Sequence, residues 1–207
     1  MIRVLVADDH MVVRRGVVQM LEEVGDMVVA GEASRGQEVL KLVQEGEYDV
    51  LLLDIGLPDI SGIEVLKQVG ILCPKLRVLI FSIYPEKQYA VRALKGGAWG
   101  YLTKESVAEE LITAIRKIAE GERYISGSLG AELAREVGDR EFHRALSDRE
   151  YEILRLLGEG RTVAEIAVQL SLSVKTVSTY RARVLRKLGL ESTAEVMRYA
   201  FEQGLAE

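Results

Sequence analysis

Four apolar runs in the first half of the chain each end in a polar or charged residue. The runs occupy residues 4–7, 50–53, 78–81 and 99–102, and they lead into Asp8 and Asp9, Asp54, Ser82, and Thr103 and Lys104, respectively. Short runs rich in Val and Leu that are apolar on both faces are typical of central strands in a parallel sheet. Because ligands bind just beyond the carboxyl ends of such strands, we expect three carboxylates, a hydroxyl and an ammonium group to share one crevice.

Between these runs the sequence has amphipathic helical stretches, and this alternation predicts an α/β fold with βαβ units. We predict strands at 2–8, 27–32, 49–54, 77–82 and 99–102, and helices at 11–24, 36–46, 62–70, 86–95 and 107–120. Residues 1–121 should therefore form a doubly wound, five-stranded parallel sheet with helices on both faces.

After residue 121 the strand pattern stops. Residues 122–145 contain three glycines and a short helical stretch near 129–137, which indicates a linker. Residues 146–207 predict a small all-α domain of four helices, at 148–157, 163–170, 174–188 and 193–203. The predicted domains are thus 1–121 and 146–207.

Six Ser/Thr-x-x-Glu/Gln pairs lie where periodicity places helix starts. They are Ser34/Gln37, Ser61/Glu64, Ser106/Glu109, Ser147/Glu150, Thr162/Glu165 and Ser192/Glu195. In a capping box the two side chains of such a pair bond reciprocally to the first free backbone N–H groups of the helix. The pattern therefore predicts six capping boxes.

The carboxylates of Asp8, Asp9 and Asp54 would concentrate negative charge at one sheet edge, which is costly unless a cation compensates it. Mg²⁺ suits one or two carboxylates together with waters and phosphate oxygens, and an Asp carboxylate can accept a phosphoryl group. Ser82 could then donate to a phosphoryl oxygen, and Lys104 could supply positive charge. For any one of these Asp residues alone, a helix N-cap would be the simpler interpretation; the match at four strand ends favours a site.

Residues 1–121 resemble the receiver domain of a two-component response regulator. The motifs that carry the resemblance are Ala7-Asp8-Asp9, Asp54-Ile55-Gly56-Leu57-Pro58 with Gly62, Phe81-Ser82, and Gly100-Tyr101-Leu102-Thr103-Lys104. The resemblance implies the strand order 2-1-3-4-5 and phosphorylation of Asp54 by a sensor histidine kinase. It also implies that Asp9, Asp54 and the Gly56 carbonyl bind Mg²⁺, with Asp8 acting through water, and that Tyr101 is the switch aromatic.

Two positions depart from the receiver pattern. Glu105 stands where many receivers have a proline joined by a cis bond to the preceding lysine, and a cis bond without proline costs roughly 2.5–4 kcal/mol. Bulky Ile83 and Tyr84 follow Ser82, where many receivers carry smaller groups. We hypothesise that Ile83 and Tyr84 shield the acyl phosphate from water. His10, beside the pocket, is expected to be solvated.

Residues 171–188 carry five basic side chains and no acidic one, although the whole chain has a net charge of −5. The predicted helices at 163–170 and 174–188 are joined by a three-residue turn, which is typical of a helix-turn-helix. The second helix should bury Val174, Val177, Val184 and Leu188. Its other side displays small residues that allow close approach to bases and basic residues that reach phosphates.

Residues 146–207 resemble a LuxR-type DNA-binding domain through Leu146-Ser-Asp-Arg-Glu150, Glu165-Ile-Ala167, Ser173-Val-Lys-Thr-Val177 and Lys187-Leu-Gly-Leu190. With the receiver resemblance, this points to the NarL/FixJ family. The resemblance implies that the following residues lie near promoter DNA: Lys175, Ser178, Thr179, Arg181, Ala182, Arg183 and Lys187. The last helix, through Val196, Tyr199, Ala200 and Phe201, resembles a dimer contact, but its pattern is equally that of a core helix.

The sequence thus predicts a transcription factor controlled by phosphorylation that forms a homodimer when phosphorylated or bound to double-stranded DNA. A lone Cys73 and the lack of a long apolar stretch favour the cytoplasm, with no membrane partner. Two alternatives stay open. One is a regulator that uses the pocket only for docking, and the other is an enzyme on the same type of sheet, a phosphatase or a flavin protein, although Asp8 and Asp9 would repel a flavin phosphate.

Overall fold

The computed structural model describes residues 1–125 and 146–205, which belong to two compact units. The predicted short helix near 129–137 and most of the predicted linker lie outside the described residues. The boundaries at 121 and 146 therefore stay predictions. No helix in the described parts of the chain is long and apolar enough to cross a membrane.

The N-terminal unit, residues 1–125, is the predicted parallel sheet. Its strands are β1 (Ile2–Ala7), β2 (Met27–Ala33), β3 (Val50–Leu53), β4 (Arg77–Ser82) and β5 (Gly100–Thr103). Its helices are α1 (Met11–Glu22), α2 (Gly36–Glu45), α3 (Gly62–Leu72), α4 (Glu86–Lys95) and α5 (Ala108–Glu120). All pairings are parallel and the order is β2-β1-β3-β4-β5, as the resemblance implied.

The apolar strand runs are buried on both faces of the sheet. Every residue of β3 is buried, and so are the last four residues of β1. On one face, residues from β1, β3 and β4 pack against Val17 and Leu21 of α1 and Ile115 of α5. Helices on both sides explain why these strands read as continuous apolar runs and not as alternating ones.

The predicted capping boxes at Ser34, Ser61 and Ser106 are wrong. None of helices α2, α3 and α5 has a side-chain cap from the residue that precedes it. At α2 the free N–H groups of Gly36 and Gln37 donate instead to the two carboxylate oxygens of Asp59, at 2.7 and 2.9 Å. Asp59 lies in the loop after β3, so the cap comes from tertiary structure and is not a local motif.

The C-terminal unit, residues 146–205, has the predicted four helices. They are α6 (Asp148–Gly158), α7 (Val163–Gln169), α8 (Val174–Leu188) and α9 (Thr193–Glu202). Here the predicted boxes form at Ser147/Glu150 and at Thr162/Glu165. The third is only half formed, because Ser192 accepts from the Glu195 N–H while the Glu195 carboxylate accepts from the N–H of Glu191.

Candidate functional site

The carboxyl ends of β3, β4 and β5 bring Asp54, Ser82 and Lys104 into direct contact. Ser82 Oγ donates to Asp54 Oδ1 at 2.7 Å, and Lys104 Nζ donates to Asp54 Oδ2 at 2.6 Å. Asp54 is 2% exposed and Ser82 is fully buried. Both carboxylate oxygens of Asp54 are therefore bonded to side chains from other strand ends, Ser82 at the end of β4 and Lys104 just after β5, as expected from the sequence.

Asp8, at the end of β1, shares the same lysine. Lys104 Nζ lies 2.7 Å from Asp8 Oδ2, and Asp8 is 3% exposed. Burial raises the pKa of the Asp8 carboxyl, and the neighbouring charge of Asp54 raises it further, against the lowering effect of Lys104. Burial opposes the charge on Lys104, but Asp54 and Asp8 raise its pKa. The Lys104 ammonium group thus contacts two buried carboxylates.

Asp9 and His10 form the other side of the pocket. His10 Nδ1 lies 2.7 Å from Asp9 Oδ1 and 3.4 Å from Asp8 Oδ1, while the His10 backbone N–H donates to Asp8 Oδ1 at 2.8 Å. Ligand atoms of Asp8, Asp9, His10 and Asp54 all lie within 4.8 Å of one another. The His10 side chain is 58% exposed, as expected for a solvated residue, but its Nδ1 faces the carboxylates, which sequence reasoning missed.

Two glycines shape the loop that follows Asp54. The Gly56 N–H donates to Asp54 Oδ1 at 3.2 Å. Gly62 is packed so closely that a Cβ there would lie 2.1 Å from the Asp54 carbonyl oxygen and 2.7 Å from Ile55 Cα. The start of α3 therefore rests on the backbone of the pocket itself, and only a glycine fits at residue 62.

Three tyrosines connect the pocket to β5 and α4. Tyr101 is fully buried and its hydroxyl donates to the Tyr84 carbonyl at 2.8 Å. The Tyr84 ring stacks on Tyr89 with centroids 4.8 Å apart. The Tyr84 hydroxyl lies 3.9 Å from the position that a Cβ on Gly56 would take, whereas Ile83 is 60% exposed. Of the two bulky residues, Tyr84 is thus the one placed beside the pocket.

The departure at Glu105 has a simple outcome. No peptide bond within residues 1–125 or 146–205 is cis, so the bond between Lys104 and Glu105 is trans. Lys104 reaches both carboxylates from this trans backbone.

Helix α8 presents the predicted basic face in the C-terminal unit. Its exposed residues include Lys175, Ser178, Thr179, Ala182, Arg183 and Arg186. Val177 and Val184 are fully buried as predicted, but Val174 is 54% exposed and does not belong to the inner stripe. Val174 is the first residue of the helix.

Two residues predicted near DNA make side-chain contacts with other helices of their unit. Arg181 is half-buried and its Nε donates to Thr193 Oγ1 at 2.8 Å, at the start of α9. Lys187 Nζ donates to Glu150 Oε2 at 2.6 Å, and Glu150 is 3% exposed. Although burial opposes its charge, Lys187 and the Ser147 N–H lower the pKa of the Glu150 carboxyl. Arg181 and Lys187 therefore tie α8 to α9 and α6.

The turn before α8 and the last helix complete the unit. Ser171 in the turn has a φ of 51°, the only positive value among described residues other than glycine. In α9, Val196 and Ala200 are fully buried, so they belong to the core, while Phe201 is 73% exposed. Of the residues predicted for a dimer contact, Phe201 is the most accessible.

Comparison with known proteins agrees with this arrangement along the whole chain. Residues 4–116 match the response regulator receiver domain, and residues 144–200 match the LuxR family of bacterial regulatory proteins. The chain therefore belongs to the two-component response regulators, and it is a DNA-binding transcriptional regulator of that type. Within this class it belongs to the NarL/FixJ family, in which a receiver domain precedes a LuxR-type helix-turn-helix domain.

Individual relatives cover nearly the full length. The chain is similar to the response regulator GacA of Pseudomonas aeruginosa, with 36% identity over 100% of this chain and 99% of the relative. It is 33% identical to the response regulator UvrY of Escherichia coli K12, over 99% and 96% of the two chains. The solved structure of RcsB from Salmonella enterica serovar Typhimurium, bound to promoter rprA with the phosphomimetic BeF3−, has a TM-score of 0.65 and 27% identity, over 96% and 98%.

Proposed function

We propose that Asp54 accepts a phosphoryl group from a sensor histidine kinase and that this modification controls promoter binding by the C-terminal unit. The observation that carries the proposal is the set of contacts at Asp54, which receives one hydrogen bond from Ser82 and one from Lys104. These donors come from separate strand ends and converge on one buried carboxylate. Such a preorganised donor set suits the negative charge that develops on a transferred phosphoryl group.

The transfer is a substitution at phosphorus. A carboxylate oxygen of Asp54 attacks the phosphorus of a phosphohistidine in the kinase, a P–O bond forms, and the P–N bond breaks with its electron pair returning to the imidazole. The Ser82 hydroxyl and the Lys104 ammonium then move their hydrogen bonds from Asp54 to the phosphoryl oxygens. The reaction is self-catalysed and is followed by slow hydrolysis, so the chain is not an enzyme that turns over other substrates.

The pocket fits the Mg²⁺ that this chemistry needs. Asp8, Asp9 and Asp54 supply carboxylate oxygens close together, and burial, together with the nearby charge of Asp54, raises the pKa of Asp8 despite its contact with Lys104. We propose that Asp9, Asp54 and the Gly56 carbonyl bind Mg²⁺ directly and that Asp8 holds it through water. A bound Mg²⁺ offsets negative charge on the phosphoryl oxygens.

Tyr84 and Tyr101 would respond to the structural change that phosphorylation causes. When Ser82 and Lys104 turn to the phosphoryl group, the loops after β4 and β5 shift, and Tyr101 is bonded to the first of these loops through the Tyr84 carbonyl. A switch of this kind needs about 5.5 kcal/mol of differential stabilisation to move a population from 1:99 to 99:1.

Tyr84 would also limit the access of water to the acyl phosphate. We expect Tyr84→Ala to raise the rate of dephosphorylation severalfold, and Ile83→Ala, which removes an exposed side chain next to it, to leave the rate unchanged. Phosphate release from the phosphorylated full-length protein measures both rates. Equal rates for wild type and Tyr84→Ala would contradict the shielding role.

DNA binding is assigned to the exposed face of α8. Lys175, Ser178, Thr179, Ala182 and Arg183 would enter or flank the major groove, while Arg181 and Lys187 would hold the helix in place through Thr193 and Glu150. A homodimer would place two such helices about one helical turn of DNA apart. Exposed Phe201 would lie in the contact between the two copies.

The experiment is DNA binding by the full-length protein to a pool of promoter fragments, with and without a small phosphodonor and Mg²⁺. Wild type, Asp54→Ala and Arg183→Ala are compared. We expect the phosphodonor to tighten binding by wild type only, and Arg183→Ala to weaken binding in both conditions. Equal binding by wild type and Asp54→Ala in every condition would support a regulator that uses the pocket only for docking. Copurified flavin or repeated turnover of added phosphoesters would support an enzyme instead.

A further inference from the structure

One side of the acidic pocket contains a nitrogen donor that the proposed magnesium site does not use. Lys104 contacts the Oδ2 atoms of Asp8 and Asp54, so it occupies one side of the carboxylate group. On the other side, His10 Nδ1 faces the Oδ1 atoms of Asp8 and Asp9. The imidazole belongs to the same set of ligand atoms, all within 4.8 Å of one another, as the three carboxylates.

The distances suit ligands that share one ion. In an octahedral site with bonds of about 2.1 Å, adjacent ligand atoms lie about 3.0 Å apart. The separation of His10 Nδ1 from Asp9 Oδ1, a proposed direct ligand, is 2.7 Å and lies close to that value.

The contact between His10 and Asp9 lacks the geometry of a hydrogen bond. Asp9 Oδ1 is buried and has no hydrogen-bond partner among the described residues, although His10 Nδ1 is only 2.7 Å away. Two donors that bind the same ion direct their lone pairs at the ion and not at each other. A buried carboxylate oxygen without a partner is costly, and a shared cation would satisfy it.

We propose that His10 is a nitrogen ligand of the pocket and gives it a preference for first-row transition dications over Mg²⁺. This inference rests on the proposed function, because it assumes that Asp8, Asp9 and Asp54 hold a divalent ion. Mg²⁺ is a hard ion that favours oxygen ligands, whereas imidazole nitrogen suits cobalt, nickel and zinc. With His10 in the ligand set, the pocket binds Co²⁺ and Mn²⁺ through one imidazole in addition to the carboxylates of Asp9 and Asp54, while Asp8 still acts through water.

Metal selectivity in the full-length protein tests the proposal. Calorimetry with Mg²⁺ and with Co²⁺ is carried out on wild type, His10→Ala and His143→Ala; His143 is the only other histidine of the chain. We expect His10→Ala to weaken Co²⁺ binding roughly tenfold or more, with Mg²⁺ binding changed less than about twofold. His143→Ala should match wild type for both ions. The ratio of the two affinities separates a lost ligand from general damage to the pocket, which would weaken both ions.

Pulsed electron paramagnetic resonance of bound Mn²⁺ gives a direct readout. We expect modulation from a coordinated imidazole nitrogen in wild type and in His143→Ala, and none in His10→Ala. Mg²⁺ and Mn²⁺ binding without nitrogen modulation, and with an unchanged affinity ratio in His10→Ala, would overturn the role of His10 but leave the proposed magnesium site. Failure of wild type to bind any of these ions would overturn the proposed magnesium site as well.

Discussion

The two units each contain a lysine in contact with a buried carboxylate, and the two contacts have opposite electrostatic outcomes. Lys104 Nζ lies 2.7 Å from Asp8, and Lys187 Nζ lies 2.6 Å from Glu150. In the pocket, Lys104 also contacts Asp54, and burial together with the Asp54 charge raises the pKa of Asp8. At the start of α6, Glu150 contacts Lys187 and also accepts from the Ser147 N–H, and these contacts lower its pKa against the effect of burial.

The opposite pKa directions distinguish the proposed phosphoryl-transfer pocket, which contains Asp8, from a contact at Glu150 that stabilises the fold. The Glu150 carboxylate has its charge balanced by a cation and by a helix N-terminus, and its ionised form favours folding. In the pocket, the Asp8 carboxyl is buried and lies near the charge of Asp54, so its ionised form costs folding free energy. Such a cost is expected where a protein must bind a cation and accept a phosphoryl group.

The largest effect tests how closely the start of α3 packs on the Asp54 backbone. In Gly62→Ala the new Cβ would clash with the Asp54 carbonyl and with Ile55 Cα, both backbone atoms, so we expect a loss of about 3 kcal/mol in the free energy of unfolding. Gly70→Ala is the matched control on the same helix, because nothing lies within 4 Å of its Cβ, and it should stabilise by roughly 0.5–1 kcal/mol. Chemical denaturation followed by fluorescence of Trp99, the only tryptophan, measures both. Similar results for the two variants would contradict the close packing at Gly62.

The next largest effect is expected on removal of the Glu150 carboxylate. Glu150→Ala deletes half of the capping box and the partner of Lys187, and we expect the C-terminal unit to lose about 2 kcal/mol. Glu165→Ala deletes the equivalent half of the exposed box at Thr162, which no lysine supports in the described residues, and its effect should be smaller. Hydrogen exchange in peptides from α6 and α7 resolves the two. A larger loss in Glu165→Ala would show that the lysine contact contributes nothing.

In the pocket, we expect removal of a carboxylate to increase the free energy of unfolding. Asp8→Asn removes one of the two buried charges that share Lys104 and keeps an oxygen for the His10 N–H, so it should stabilise the N-terminal unit by about 1 kcal/mol without divalent ions. Trp99 fluorescence during denaturation measures the change. The same variant should weaken Mg²⁺ binding. Destabilisation by Asp8→Asn would mean that Lys104 balances both carboxylates after all.

The smallest expected effect is that Glu150 and Asp8 change the stabilities of their two units in opposite directions as pH falls. The pKa of Glu150 is lowered from 4.5, so its contribution to stability is present above pH 4.5 and is lost as pH falls through the lower value of the folded state. The pKa of Asp8 is raised above 3.8, so its destabilising effect is present at neutral pH and is relieved as pH falls toward 3.8. We expect the contrast to be under about 1 kcal/mol for each group.

Hydrogen exchange at pH 7 and near pH 4, corrected for intrinsic rates, reads the two units separately. In Glu150→Gln and Asp8→Asn the corresponding pH dependence should disappear. If both units lost the same free energy of unfolding between pH 7 and pH 4 in both variants, the assignment of the pH dependence to these two carboxylates would be wrong.

Much of the fold and of the pocket could be predicted because its signals are local or repeat along the chain. Apolar strand runs with polar ends predicted Asp8, Asp54, Ser82 and Lys104 as one group, and the contacts at Asp54 confirm that they meet. The caps at Ser147 and Thr162 were predicted for the same reason, since each box lies within four consecutive residues.

The errors come from positions where distant residues replace a local motif. The cap expected at Ser34 failed because Asp59, more than 20 residues away, takes the N–H groups of α2. A second long-range contact was missed but is no error of this kind: Thr193 from the following helix accepts from the Arg181 guanidinium, and the position of Arg181 near DNA stays a prediction. Neither contact can be predicted from the spacing of residues in the sequence.

By itself, the sequence determined which residues form strands and helices, which strand ends carry the reactive groups, and where the C-terminal helices begin. These properties depend on periodicity and on hydrogen bonds between near neighbours, so they can be read from a short window. Only the tertiary structure decided that one lysine serves two carboxylates, that His10 turns its Nδ1 toward them, and that Gly62 rests on the Asp54 backbone. Those outcomes depend on distances of a few ångströms between segments far apart in the chain, which packing of the whole core sets.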